Sequence, residues 1–356
     1  MKNSETSTAT LQSSGFEREA VFGNGNRSEF VSTGLLSPGQ PLPLVIRPRE
    51  GRPQLQRTTE WLRAFREALN VELVKYGAIL FRGFGLQTVE DVSAFAAAMS
   101  DELLEYSERS SPRSHLNDRV YTSTDYPPAQ RIFLHNEHSY SMTFPMKLFF
   151  CCLIPAQQGG ETPIADVRRV AARISSETKE LFRRKNWMYT RNFGDGLGLS
   201  WQTAFQTSDE KVVERYCNEH RIEFEWKDDQ RLRTRQIRPV YATHPRTGEP
   251  VWFNHTTFFH VSTLDETMRE VLLAEFEEQD LPNNTYYGDG SSIEPEVMDE
   301  LRAAYDEESI KFPWEQGDIM LVDNMLTAHG RSSYAGQRKV VVAMSEPIQR
   351  SDISFL

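Results

Sequence analysis

The stretch IFLHNEHSY, residues 132–140, sets His135, Glu137 and His138 between apolar and aromatic neighbours. It is either a metal-binding cluster or a polar edge strand that carries histidines. Along a strand, residues two apart point to the same side. His135 and Glu137 then share one face, while Asn136 and His138 take the other. An imidazole and a carboxylate on one face make two metal ligands, so a third must arrive from elsewhere. The stretch GDIMLVDNMLTAHGRSS offers His329, just beyond a predicted strand and turn. The separation of residues 135 and 329 means that the fold must assemble such a site.

Two neutral imidazoles and one carboxylate on one side of a metal leave the opposite positions open, as in the facial triad of non-haem Fe(II) oxygenases. Three protein ligands leave room for a bidentate cosubstrate and O2, which a closed tetrahedral zinc site does not. An isolated His-x-Glu identifies nothing by itself. Parity gives His138 a structural or supporting role. His115 and His220 read as surface residues and His244 as part of a turn, THPRTG, none with a ligand partner close in sequence.

The totals are those of an ordinary globular chain: 356 residues, 38% hydrophobic, 26% charged. The length suits one large domain or two small ones. Six Trp, 12 Tyr and 21 Phe can fill a substantial core. No run of about 18 apolar residues predicts a membrane helix. The N-terminus has no apolar segment of the secretory kind. A net charge of −11 disfavours a nucleic-acid partner. Cys151 and Cys152 are adjacent and Cys217 stands apart, which suggests reduced thiols in the cytoplasm and excludes a four-cysteine zinc site.

Residues 1–35 are rich in Ser, Thr, Asn and Gly and read as a disordered tail, with a single domain over 36–356. TTEWLRAFREALNVELVKYG predicts a helix capped by Thr58 or Thr59 and ended by Gly77. TVEDVSAFAAAMSDELL predicts a second, capped by Thr88. From there short β-like runs dominate, among them KLFFCCLIP, DIMLVDNM and RKVVVAMSEP. Helical segments interrupt them, several within a helical or lid insertion around 165–235. Strands and helices do not alternate regularly, so a doubly wound parallel sheet is not expected. Two packed antiparallel sheets, or a distorted barrel, with flanking helices fit the pattern.

GGETPIAD places Thr162 after two glycines, and GQRKVVVAM places Arg338 nine residues after His329. A keto-diacid that chelates a metal through its keto-acid end needs a cation and a hydroxyl for its far carboxylate. Arg is suited to that bidentate pairing, Thr adds one hydrogen bond, and Lys339 is the neighbouring alternative. With GAILFRGF, VYTSTDYP, LHNEHSY, WFNH, YYGDG and WEQGDIMLVDNMLTAHGR in order, the chain resembles the Fe(II)/2-oxoglutarate dioxygenases of the TauD/TfdA-like family. Within that family it looks most like the SyrP-like branch found with nonribosomal peptide pathways. The resemblance covers about residues 40–345.

The resemblance implies a mainly β fold with helices, a double-stranded β-helix or jelly-roll core. It implies that His135, Glu137 and His329 hold iron and that Thr162 and Arg338 hold 2-oxoglutarate. It also implies that O2 and 2-oxoglutarate drive oxidation of a C–H bond. The family's usual His-x-Asp is His-x-Glu here, as in the SyrP-like branch. Related halogenases lose the carboxylate, so Glu137 argues against halogenation. Sulfonate-using relatives carry a second Arg about four residues after the first. Val342 stands there, which argues against taurine.

The expected reaction is hydroxylation of an amino acid, free or tethered to a carrier protein; desaturation, epoxidation and ring closure use the same residues. WFNHTTFFH offers Asn254, His255 and Phe258 as substrate contacts, or is simply a core strand and turn. NFGDGLGLSW, after Arg191, and NNTYYGDGSSIEP read as lids or surface loops. Asp323 and Asn324 are expected to order the segment that bears His329. Readings of other classes are a non-catalytic binding protein on the same fold and a zinc hydrolase using the same ligands.

Overall fold

The computed structural model describes residues 18–22, 25, 27–37, 39–104, 115–117, 120–122, 126–194, 198–227 and 231–355. The expected tail up to residue 17, parts of the NFGDGLGLSW and VYTSTDYP stretches, and the side chain of His115 lie outside them.

The strand Thr143–Ile154 organises the molecule. Its sequence, TFPMKLFFCCLI, is apolar on both faces, as a strand covered on both sides must be. Phe149, Cys151 and Leu153 point into one apolar layer; Leu148, Phe150 and Cys152 point into another. Ile319–Asp323 pairs antiparallel with one edge of this strand and Lys339–Gln349 with the other. Among the described residues they belong to a nine-stranded open sheet.

Two helices cover the first layer. Leu55–Tyr76 buries Leu62, Leu69 and Leu73, and Val89–Met99 buries Val92, Phe95 and Met99. Thr88 caps the second helix as expected, with Asp91 completing a capping box. Gly77 ends the first in the left-handed conformation, φ 73°. Gln54, not Thr58 or Thr59, takes the first cap position. Both threonine hydroxyls lie within the first two turns and donate back to the carbonyls of Gln54 and Gln56.

The second layer lies between the large sheet and a three-stranded one made of Ile164–Asp166, Thr327–Arg331 and Ile132–His135. Ile164 packs there with Phe150, Met320, Val340 and Val342. The chain is therefore mainly β with flanking helices, two facing sheets in the jelly-roll manner, and no closed barrel among the described residues.

Two sequence expectations need correcting. Arg27–Leu35 is not tail: it is a strand of the large sheet, paired with Leu44–Pro48. Val31 and Phe22 are buried, and Trp61 Nε1 donates to Ser28 Oγ at 3.0 Å, so the helix layer needs this edge. The stretch 165–235 is also not purely helical. Besides helices it carries Trp187–Phe193, Glu223–Trp226 and Leu232–Arg238, which join Asn283–Tyr287 in a four-stranded sheet.

Candidate metal centre

The two histidines proposed as ligands meet because their strands do. His135 and His329 are direct cross-strand partners of the three-stranded sheet, with ring centroids 4.5 Å apart. The pairing shifts register just after His329. A Cβ on Gly330 would stand 2.6 Å from the carbonyl oxygen of Ile132, so only glycine lets the strands close at this point.

Glu137 joins them by a route that strand parity does not give. The strand ends at His135, and residues 137–142 form turns and bends. His138 sits at φ 56°, a left-handed conformation costly for a residue with a Cβ. Asn324 fixes the turn. Its Oδ1 accepts from Glu137 N at 2.7 Å, and its Nδ2 donates to the carbonyls of Glu137 and Pro145, each at 2.8 Å. Asp323 Oδ1 accepts from the amides of Met325 and Leu326, and its Oδ2 lies 3.1 Å from His244 Nε2. His244, read as an isolated turn residue, is thus fully buried and supports the segment leading to His329.

The three side chains converge. Ligand atoms of His135, Glu137 and His329 all lie within 4.8 Å of one another, and all three residues are buried. His329 Nε2 is 3.5 Å from Glu137 Oε2. Neighbouring ligands on an ion with bonds near 2.1 Å stand about 3 Å apart, so the set would have to draw in by up to about 2 Å to hold one. His135 Nδ1 is 2.8 Å from the carbonyl of Phe133. A carbonyl only accepts, so Nδ1 carries the proton and Nε2 keeps its lone pair for a metal. His329 is held by packing instead, with the Phe150 ring 4.8 Å away. His138 stays beside the set, its Nε2 3.5 Å from Glu137 Oε1.

His135 and Glu137 open onto a cavity of about 930 Å³. Phe133, Phe258 and Phe259 give it an apolar wall, and Arg191 and His255 add polar groups. His255 Nδ1 and Ser139 Oγ are 2.5 Å apart. Burial, followed by nearby His135, pushes the His255 pKa well below that of an ordinary histidine, so the ring is neutral. Asn254 is buried but absent from the wall; its amide bonds the Val240 carbonyl and the Thr256 amide. The WFNH stretch thus contributes His255 and, beyond it, Phe258, whereas Asn254 shapes the backbone.

Thr162 and Arg338 lie away from this cavity wall. Thr162 is buried and its Oγ1 accepts from Trp314 Nε1 at 3.2 Å. Arg338 Nε donates to Gly160 O at 2.9 Å, two residues before Thr162. Burial, then the charge of Arg331, lowers the Arg338 pKa to about 10, which leaves it cationic at neutral pH. Lys339 is exposed. Val342 is buried among apolar side chains.

Sequence reasoning left Arg191 and Ser139 without roles. Arg191 preceded a glycine-rich stretch, and nothing local marked it as buried. Ser139 gains meaning only when His255 folds against it.

A family model described as taurine catabolism dioxygenase TauD, TfdA family matches residues 39–344. The dapdiamide synthesis protein DdaC of Enterobacter agglomerans is 41% identical over 279 residues, covering 78% of this chain and 85% of DdaC. A clavaminate synthase-like protein of Arabidopsis thaliana is 27% identical over 321 residues, 86% of this chain and 94% of its own. Among solved structures, PvcB from Pseudomonas aeruginosa aligns with a TM-score of 0.52 at 15% identity, over 93% of this chain and 95% of PvcB. Another PvcB structure, described as an Fe, alpha-ketoglutarate dependent oxygenase from an isonitrile synthetic pathway, gives 0.50 at 16% over 93% and 96%. These structural likenesses speak to the fold.

Proposed function

Because the chain belongs to the TauD/TfdA family of dioxygenases, we propose that it is an Fe(II)/2-oxoglutarate-dependent oxygenase. In this reading it hydroxylates an amino acid, free or tethered to a carrier protein, in natural-product biosynthesis in the cytoplasm. One observation carries the reading: two cross-strand histidines and one carboxylate are buried and convergent, and His135 and Glu137 among them open onto a substrate-sized cavity. A relative whose name assigns it to dapdiamide synthesis supports the biosynthetic setting.

His135, Glu137 and His329 would hold the iron. When bound, iron with 2-oxoglutarate and O2 supplies the oxidation of a C–H bond, with succinate and CO2 as co-products. The chain's own part is placement and dryness. The Thr162 hydroxyl and the Arg338 guanidinium would bind the far carboxylate of 2-oxoglutarate; the exposure of Lys339 favours Arg338. Phe133, Phe258 and Phe259 exclude water from the reacting end. Neutral His255, oriented by Ser139, offers the substrate one hydrogen-bonding nitrogen. The cavity is near the top of the usual range of roughly 300–1,000 Å³ for small-molecule sites. That size suits an extended or tethered amino acid better than a small free one.

The test is an anaerobic titration of metal-free protein with Fe(II) and 2-oxoglutarate, followed by the weak visible charge-transfer band of the chelate. The band should need both additions and vanish in His329→Ala. His135→Ala and Glu137→Ala should each abolish succinate formation. Full activity in either variant sinks the ligand assignment, and activation by zinc in place of iron would favour a hydrolase.

A further inference from the structure

Three consecutive carbonyls follow the ligand Glu137 in the turn, those of Ser139, Tyr140 and Ser141. All three accept from arginines that come from distant parts of the chain. Arg350 Nη2 donates to Ser139 O, and Arg350 Nε to Ser141 O at 3.2 Å. Arg238 Nε donates to Tyr140 O at 2.9 Å. Both arginines are buried, at 7% and 4% exposure, deep enough that a guanidinium needs a dense set of acceptors. The backbone joins in: Arg350 N donates to Met142 O at 2.7 Å.

Each arginine is itself anchored. Arg238 Nη2 donates to the His220 carbonyl at 2.9 Å and to Gln236 Oε1 at 2.8 Å. The Arg350 guanidinium lies 4.3 Å over the Phe355 ring. That C-terminal segment is pinned in turn, since Thr243 N donates to Ser354 O at 2.7 Å and Ala242 bridges Phe355. The family match ends at residue 344, so Arg350 and its anchor lie beyond the shared pattern.

We propose that Arg350, with Arg238, is a positioning residue for the metal centre: the C-terminal segment holds the turn that aims the Glu137 carboxylate. The turn joins the strand ending at His135 to the strand starting at Thr143, and it contains the left-handed His138. Asn324 holds the peptide of Glu137 itself, and the arginines hold the three residues beyond His138. Removing Arg350 leaves two buried carbonyls without a donor. The turn then relaxes toward other partners and carries Glu137 with it. His135 and His329, fixed by strand pairing, stay in place.

This inference rests on the iron-site reading above, and its test keeps the two apart. Fe(II) is titrated anaerobically into metal-free protein at saturating 2-oxoglutarate, and its Kd is read from the chelate band. The variants are Arg350→Ala, Arg350→Lys and, as a control for general destabilisation, Arg82→Ala. Arg82 is equally buried but bonds Asp318 and the Pro313 carbonyl, outside the site. The expected result is a rise in Kd on the order of 10- to 100-fold for Arg350→Ala, the usual range for groups that support metal ligands. Arg350→Lys, which keeps charge without the fork, should fall between that and the parent, and Arg82→Ala should stay within about twofold.

A Kd for Arg350→Ala no higher than that of Arg82→Ala overturns the proposal. Should Arg350→Ala not fold, Arg350→Lys decides: a rise of less than about threefold overturns the proposal. A parent protein that forms no chelate overturns the iron-site reading and this inference with it. Where the parent does form the chelate, the iron site stands and the variants alone decide the role of Arg350.

Discussion

At the residue scale, Arg338 and Lys339 are the two candidates for the 2-oxoglutarate anchor, and they differ in burial. Arg338 is drawn inward to Gly160 O, where a Cβ on Gly160 would stand 3.0 Å from the arginine's Cδ. Lys339 points to solvent. Arg338→Ala should therefore raise the KM for 2-oxoglutarate by about 10- to 100-fold, the loss of roughly 1.5–3 kcal/mol expected of a charge-assisted hydrogen bond. Lys339→Ala should leave it unchanged. Steady-state succinate assays at varied cosubstrate check both, and the reverse pattern assigns the anchor to Lys339. The meeting of the two histidines was legible because several motifs recur in the order of the family the chain resembles, not because of their spacing. The route of Glu137 was not, since parity presumes that the strand continues. The chain instead turns at Asn136, and a side chain from residue 324 makes that turn specific.

At the scale of elements, the strand Arg27–Leu35 shows how a short edge escapes a compositional reading. Only Phe30, Val31 and Leu35 are large and apolar in RSEFVSTGL, and the surrounding Ser, Thr and Gly resemble a linker. The information lies in its partner, because a strand of this kind is defined by the edge it completes and by Trp61 beneath it. Val31→Asp should cost about 3 kcal/mol or more by placing a charge in an apolar layer. A urea unfolding midpoint measures it; a change under about 0.5 kcal/mol is what a disordered tail would give. The longer elements were easier to read. Helix Val89–Met99 announced its start through Thr88, and the central strand announced its two-sided burial through an unbroken apolar run.

At the scale of the molecule, burial makes stability depend on acid. His260 is 9% exposed, and burial together with nearby Arg302 lowers its pKa from 6.5 to about 4. The unfolded chain therefore binds a proton there that the folded chain refuses. The stability contribution is complete above pH 6.5 and falls through the window down to about pH 4, by about 1.4 kcal/mol per unit. Thermal melts across this window should show the decline, and His260→Asn, which keeps an acceptor for Ser262 N, should flatten part of it. An unchanged slope would mean that other groups dominate. The layered architecture was readable in outline from the run of apolar strands. The antiparallel sheet built from strands of 165–235 was not, because its fourth strand, Asn283–Tyr287, arrives from far along the chain.

The parity of the central strand also leaves the molecule with built-in reporters. Cys151 belongs to the layer under the helices, Cys152 to the layer between the sheets, and Cys217 to the small cluster around Trp201. All three are reduced and buried, and burial raises the thiols of Cys151 and Cys152, the latter to about 12. Such a thiol meets an alkylating reagent only when its own layer opens. Three labelling rates, separated by mass spectrometry, would thus time the breathing of three compartments in a single unmutated chain. Adding Fe(II) and 2-oxoglutarate would then show which compartment the cofactors quieten.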